Sequence, residues 1–212
     1  MDGKREFIGF MISSGVLTFG DFIAKSGRRT PYFINTGNYK TGAQLAALGD
    51  WYARCIEDSG EEFDVLFGPA YKGIPLAAAA AVSLYRMYGR SVPYCFNRKE
   101  AKDHGEGGVI VGYTPRDGDR VAIIEDVVTA GTSVRESVEL LSSLGDVRVT
   151  SLFVSADRME RGTGALTTLD ELRTQMGINV YPIVTVRDIT ALLSEDDPRA
   201  AKIEEYLKEY GA

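Results

Sequence analysis

The sequence predicts an α/β fold: a mostly parallel central sheet flanked by helices. Three observations carry this. VAII (121–124) is an apolar run expected of a strand buried on both faces, FDVLFGP (63–69) reads as a buried parallel strand and NVYPIVTV (179–186) as a last strand. Stretches with helical apolar spacing alternate with them, as a parallel sheet requires of its crossovers. With 212 residues, 44% of them hydrophobic and 25% charged, the chain suffices for one domain, 1–212, with a sizeable core.

In chain order, residues 4–14 place Phe7, Phe10, Met11 and Ser14 on one helical face, closed by Gly15. VLTFGDFIA and TPYFINTG flank the polar KSGRR and predict a β-hairpin or a loop between short strands. These N-terminal elements, about 1–40, precede a core of about 41–212 within the same domain. A helix is expected over 43–59, with Leu45, Leu48, Tyr52 and Ile56 inward. FDVLFGP is then the first buried strand, and Gly73 to Tyr88 the helix after it. VPYCFNRK (92–99) and VIVGYT (109–114) read as strands around the glycine-rich EAKDHGEGG. VTSLFVSADRMERG predicts another central strand ending at Asp157-Arg158, followed by a helix over 170–177, the 179–186 strand and an amphipathic helix over 199–210. YTPRDGD (113–119) is a turn-rich excursion with no assigned role.

The most informative stretch is VAIIEDVVTAGTSVRES (121–137). A buried strand runs into two acids, Glu125 and Asp126. Small, hydroxyl-bearing and glycine residues follow, Thr129-Ala130-Gly131-Thr132-Ser133. A helix starts next, with capping-box spacing between Ser133 and Glu136 and with Val134, Val138 and Leu141 inward up to Gly145. Backbone N–H groups at a helix start, with Gly131 permitting close approach and hydroxyls as further donors, suit a phosphate monoester. The acids repel that phosphate, but accept hydrogen bonds from sugar hydroxyls one ribose-length away or sit near a metal. A ribose 5-phosphate meets both needs.

Composition excludes several classes. A net charge of −6 argues against general nucleic-acid binding, and Arg98, Lys99 and Lys102 are matched by Glu100, Asp103 and Glu106. No apolar run approaches the ~20 residues of a membrane span, and MDGKREFIGF lacks the apolar stretch of a secretory signal. Cys55 and Cys95 form neither a C-x-x-C pair nor a metal set, consistent with two reduced, buried thiols in a cytoplasmic protein. His104 is the only histidine, so a His-based metal site or relay triad is hard to build. No G-x-x-x-x-G-K-[ST] phosphate loop occurs.

Strand, acid pair and T-A-G-T resemble the phosphoribosyl pyrophosphate (PRPP) signature of type I phosphoribosyltransferases. KSGRRTPYFIN (25–35), GPAYKG (68–73) and RKEAKDHGEGG (98–108) narrow the resemblance to the orotate phosphoribosyltransferase family, in the expected order over nearly the whole chain. The resemblance implies the type I phosphoribosyltransferase fold, with a small N-terminal hood and a flexible β-hairpin lid. It implies PRPP contacts from Lys25, Tyr71, Lys72, Arg98, Lys99, Lys102, His104, Glu125, Asp126, Val127, Val128 and residues 129 to 133. Phe33, Ile34, Thr129 and Arg158 are expected on orotate, with Ile34 standing where the family has a second aromatic. Catalytic roles fall to Lys72, Arg98, Lys99, Lys102, His104 and Asp126. Mg2+ is expected on PRPP itself, with no direct protein ligand and only a water-mediated contact to Glu125 or Asp126. The resemblance further implies a cis peptide at Ala70–Tyr71 and a homodimer whose 101–108 lid, poorly ordered without ligand, acts in the neighbouring site. A monofunctional enzyme is expected, since no decarboxylase segment is present. The competing readings are a purine phosphoribosyltransferase, which needs a different hood, and a PRPP-sensing regulator, which needs no lysine-histidine lid.

Overall fold

The architecture comes from a computed structural model that describes residues 2–24, 27–102, 108–162, 164–194 and 196–212, with the backbone alone at Asp2, Ala101 and Lys102. Helix α1 (Asp2–Ser13) leads into an antiparallel hairpin, β1 (Leu17–Ile23) and β2 (Arg29–Ile34). Then follow α2 (Gly42–Ser59), β3 (Val65–Gly68), α3 (Gly73–Tyr88), β4 (Tyr94–Lys102), β5 (Gly108–Gly112) and β6 (Arg120–Glu125). The chain ends with α4 (Thr132–Ser142), β7 (Arg148–Asp157), α5 (Thr168–Met176), β8 (Asn179–Thr185), α6 (Val186–Leu192) and α7 (Pro198–Tyr210).

The main sheet has the order β5-β4-β3-β6-β7-β8, parallel except for β5 at one edge. Its strands alternate between two cores because successive side chains point to opposite faces. Leu66, Ala122, Ile124 and Phe153 face the core built with α1, α2, α3 and the hairpin. Val65, Phe67, Val121, Ile123, Leu152 and Val154 face the other, beneath α4 and α5. Each Val, Leu, Ile or Phe among them contributes about 1.5–3 kcal/mol by leaving water, Ala122 less, so the register of β6 is fixed from both sides.

From β3 the chain proceeds to β4 on one side, whereas β6, β7 and β8 run out on the other. The strand order therefore reverses between β3 and β6, and the crevice outside their carboxyl ends is where open α/β sheets bind ligands. Gly68 and Gly73 make the turn after β3 possible. A Cβ on Gly68 would lie 2.2 Å from the Gly73 carbonyl oxygen, and one on Gly73 would lie 2.9 Å from that of Ile124.

Some expectations change. On α1, Phe7, Ile8 and Met11 are the buried residues, whereas Phe10 is partly exposed and stacks on Tyr39 at 5.2 Å. A separate helix, α6, follows β8, capped by Thr185 and Asp188. Cys95 is buried, but Cys55 is only partly so. Among the described residues, no helix is long and apolar enough to cross a membrane.

Candidate active site

The carboxyl end of β6 delivers Glu125 and Asp126, both buried. The Asp126 backbone carbonyl accepts hydrogen bonds from Ser155 N at 2.9 Å and Oγ at 2.7 Å, and Tyr52 donates to the carbonyl of Glu125 at 2.6 Å. The acid pair is thus anchored through its backbone, leaving its carboxylates for other partners. Asp126 Oδ2 accepts from Lys72 Nζ at 2.8 Å and from Thr36 Oγ1 at 2.5 Å. Lys72 also donates to Thr36, at 3.1 Å. The loop after β3, the end of β6 and the turn after β2 therefore meet at one carboxylate.

Glu125 sits differently. Its Oε1 accepts from Ser133 Oγ at 3.3 Å, while the buried Oε2 has no protein partner. Burial, with the Asp126 charge adding to it, pushes this carboxyl up to about 7. A buried carboxylate oxygen without a partner, next to Asp126, calls for a role beyond the fold.

The phosphate loop corrects the sequence reading of its helix cap. Gly131, not Ser133, is the N-cap of α4, with φ 75° and no side-chain cap bond. Ser133 lies inside the first turn and turns to Glu125 instead, so no capping box forms with Glu136. The left-handed conformation at Gly131 explains the difference, because it starts the helix two residues earlier and leaves the first amides uncapped. A Cβ there would also press on Leu172 and Thr168 at 3.4 Å. Thr129, Ala130, Thr132 and Ser133 are exposed, Val127 and Val128 partly buried, and the Thr129 carbonyl is held by Thr168 Oγ1 at 2.7 Å.

Across the crevice, the Ala70–Tyr71 peptide is cis, as expected. Asn97 of β4 accepts from the Ala70 N–H at 2.8 Å and so ties this loop to the neighbouring strand. Tyr71 is exposed, with Lys99 Nζ 5.2 Å from its ring centroid. Arg98 reaches the Gly108 carbonyl at 3.3 Å. Lys25 and His104 lie outside the described residues, as does the side chain of Lys102.

Arg158 follows β7 and is mostly buried. Its guanidinium lies over the Tyr32 ring at 4.8 Å and pairs with Glu160 at 2.6 Å. Charge partners at this site hold it above its ordinary pKa despite burial, so it stays cationic. Strand alternation in β2 buries Tyr32 and turns Phe33 outward against Phe22, with centroids 5.6 Å apart. Ile34, two residues on, returns to the Tyr32 side and packs against the main core. Beside Asp126 and Lys72 a cavity of about 370 Å³ opens, lined in part by Tyr39, Leu45 and Leu76. Leu45 therefore walls this cavity and is only partly buried.

Thr36, Asn97, Ser155 and Glu160 are absent from the sequence-based site set, and Tyr52 enters it only as a core residue. Their types gave no signal; their roles arise from contacts between distant segments. Among the described residues, no group of three or more His, Cys, Asp or Glu side chains is placed to hold a metal ion directly.

Residues 35–163 match the family model for the phosphoribosyl transferase domain. The orotate phosphoribosyltransferase of Clostridium acetobutylicum is 52% identical, over 98% of this chain and 97% of its own. That of Cronobacter sakazakii is 49% identical, over 98% of each. The crystal structure of the Francisella tularensis orotate phosphoribosyltransferase superposes with a TM-score of 0.88 at 37% identity, covering 97% of this chain and 96% of that one. Similarity of this depth over nearly the full length settles the relationship: the chain belongs to the phosphoribosyltransferase family, among the orotate phosphoribosyltransferases.

Proposed function

We propose that the β3/β6 crevice transfers the 5-phosphoribosyl group of PRPP to N1 of orotate, giving orotidine 5-phosphate and pyrophosphate in pyrimidine synthesis. The observation that carries this reading is the Lys72–Asp126 contact of 2.8 Å, which joins the loop after β3 to the acid pair of β6 in one site. As the C1–O bond breaks, positive charge grows on the ribose and negative charge on the departing diphosphate, and orotate N1 closes on C1. Asp126 and Glu125 hold the ribose hydroxyls and favour the cationic sugar. Lys72 exchanges Asp126 for the diphosphate when PRPP arrives. Tyr71, Arg98, Lys99 and Lys102 complete the leaving-group side, with His104 as proton donor to it. Lys25 adds a further PRPP contact.

The loop Thr129 to Ser133 grips the 5-phosphate at the uncapped start of α4, with Val127 and Val128 as further PRPP contacts. On the base side, Arg158 takes the orotate carboxylate as a planar fork. Ile34 offers an aliphatic contact, Phe33 bounds the hood, and Thr129 bounds the base from below. The partnerless Glu125 Oε2 beside Asp126 is in keeping with a hydrated divalent cation, and Mg2+ bound with PRPP would supply Lewis-acid stabilisation of the diphosphate. These two acids would face it through water.

The same reading makes the protein a homodimer in which the 101–108 lid serves the neighbouring site. The outer face of α3 supports a partner, since Val82 and Tyr85 are each about two-thirds exposed there. The test of the reading is pyrophosphate release from PRPP with orotate, adenine and hypoxanthine side by side. Release with orotate alone is expected; equal release with a purine would overturn it.

A further inference from the structure

Arg158, Met159 and Glu160 form a built turn rather than a passing loop. Met159 has φ 52°, a left-handed conformation that non-glycine residues rarely adopt unless their surroundings hold them there. Its N–H is held by Asp157 Oδ1 at 2.7 Å, and the C-terminus closes on the same turn. Arg161 N donates to the Tyr210 carbonyl at 2.8 Å, and Ala212 N to that of Met159 at 3.3 Å. The bend folds the Glu160 side chain back onto Arg158.

The contact uses one edge of the guanidinium. Arg158 Nε lies 2.7 Å and Nη2 2.6 Å from the same oxygen, Glu160 Oε1. Tyr206 of α7 donates its hydroxyl to that oxygen at 2.7 Å, and Tyr32 supports the guanidinium from its face. With the Nε–Nη2 edge on Glu160, the Tyr206 hydroxyl beside it and its plane over Tyr32, the guanidinium has Nη1 and the second Nη2 hydrogen to offer a planar carboxylate. Arg158 is 11% exposed, so an unfixed rotamer would have little solvent to occupy and several wrong orientations.

We propose that Glu160, itself held by Tyr206, is the positioning residue of the base subsite: it fixes the Nε edge of Arg158 so that the opposite fork selects a carboxylated pyrimidine. The proposal rests on the reading above that Arg158 takes the orotate carboxylate. It also gives the C-terminal helix a part in substrate selection, through one hydroxyl.

The test compares Glu160→Gln, Tyr206→Phe and Arg158→Ala with the unaltered protein. Four quantities are read: KM for orotate, KM for PRPP, inhibition by uracil, which lacks the carboxylate, and Tm. Glu160→Gln is expected to raise the orotate KM about tenfold, with PRPP KM and uracil inhibition within about twofold, as losing one charge-assisted bond to a positioned guanidinium implies. Tyr206→Phe should raise the orotate KM about threefold. The double variant Arg158→Ala/Glu160→Gln should bind orotate no worse than Arg158→Ala alone. If Arg158→Ala leaves the orotate KM unchanged, the carboxylate reading itself falls. If Arg158→Ala raises it while Glu160→Gln and Tyr206→Phe do not, the positioning role is overturned and the reading stands. A parallel rise in orotate KM, PRPP KM and uracil inhibition constant, with a fall in Tm, would make Glu160 merely structural and would also overturn the proposal. Should Glu160→Gln fail to fold, Tyr206→Phe, which removes a single hydroxyl, decides by the same readouts.

Discussion

At the proposed base subsite, Arg158 is mostly buried, stacked on Tyr32 and bonded to Glu160, which Tyr206 holds in turn. On the phosphate side, Thr129, Ala130, Thr132 and Ser133 are exposed, and α4 begins without a side-chain cap. In the proposed reading, the first would bind through side chains already fixed by one another, and the second through backbone amides that a phosphate would complete. A single carboxylate must be recognised by shape and direction, which favours a rigid fork. A phosphate with several equivalent oxygens needs donors more than orientation, so an open helix start suffices. On the proposed reading, selectivity would reside in the Arg158 clamp, and much of the affinity for PRPP in the loop.

Asp126, which meets Lys72 and Thr36, should be the most damaging to lose. Asp126→Asn is expected to lower kcat by about 10³-fold, the scale of losing one group aimed at transition-state charge. Lys102→Ala should be comparably inactive. In a mixed dimer of the two, one site carries both lesions and the other neither, so activity should recover to about half of wild type per mixed dimer by symmetry. Confirmed mixed dimers that stay inactive would remove the shared-site reading and leave the comparison to a single subunit.

Arg158→Ala sharpens the base side. It should weaken orotate binding by about 3 kcal/mol while PRPP binding stays within about twofold, because a buried carboxylate would be left unpaired. Calorimetric titration of each ligand separates the two; an equal loss for both would dissolve the distinction between clamp and loop.

Glu125 predicts a pH dependence of the free protein. Its carboxyl is raised from an ordinary 4.5 to about 7, so the unfolded chain ionises first as pH rises. The stability from the protonated form is complete below about 4.5 and is lost as pH climbs through about 7, a fall of at most about 3 kcal/mol. Glu125→Gln should flatten that segment of the denaturation profile between about pH 4.5 and 7. A profile identical to wild type would mean the carboxylate is better solvated than its burial implies.

The smallest effect concerns the loop backbone. Gly131→Ala must adopt φ 75° against Leu172 and Thr168, which should cost about 1–2 kcal/mol of stability and raise the PRPP KM with little change for orotate. Urea denaturation and initial rates would read the two effects. An orotate KM that rose with the PRPP KM would argue that the two subsites are not independent.

Much of this was legible locally. The two-faced apolar run of β6, the acids at its end and the small residues after it each report their surroundings through residue type alone. The β-hairpin and the helix spans were legible for the same reason. What stayed hidden was pairing at a distance. Thr36 meets Asp126 across 90 residues, Asn97 meets Ala70 across 27, and Tyr206 meets Glu160 across 46. Nothing in a threonine or tyrosine announces such a partner. Glu160 stands two residues from Arg158, yet only the left-handed turn at Met159 brings their side chains together. At Ser133 a local rule pointed the wrong way: the spacing of a capping box was present, but Gly131 set the helix start.

The most direct test of the contrast between clamp and loop is a crystal structure with orotidine 5-phosphate bound, set beside a ligand-free one. The 5-phosphate should lie within hydrogen-bond distance of the backbone nitrogens of residues 129 to 133, which rearrange around it. The carboxylate should meet Arg158 while the Arg158–Glu160 contact and the stack on Tyr32 stay as they are without ligand. A phosphate bound elsewhere, or an Arg158 that leaves Glu160 to reach the carboxylate, would contradict the account.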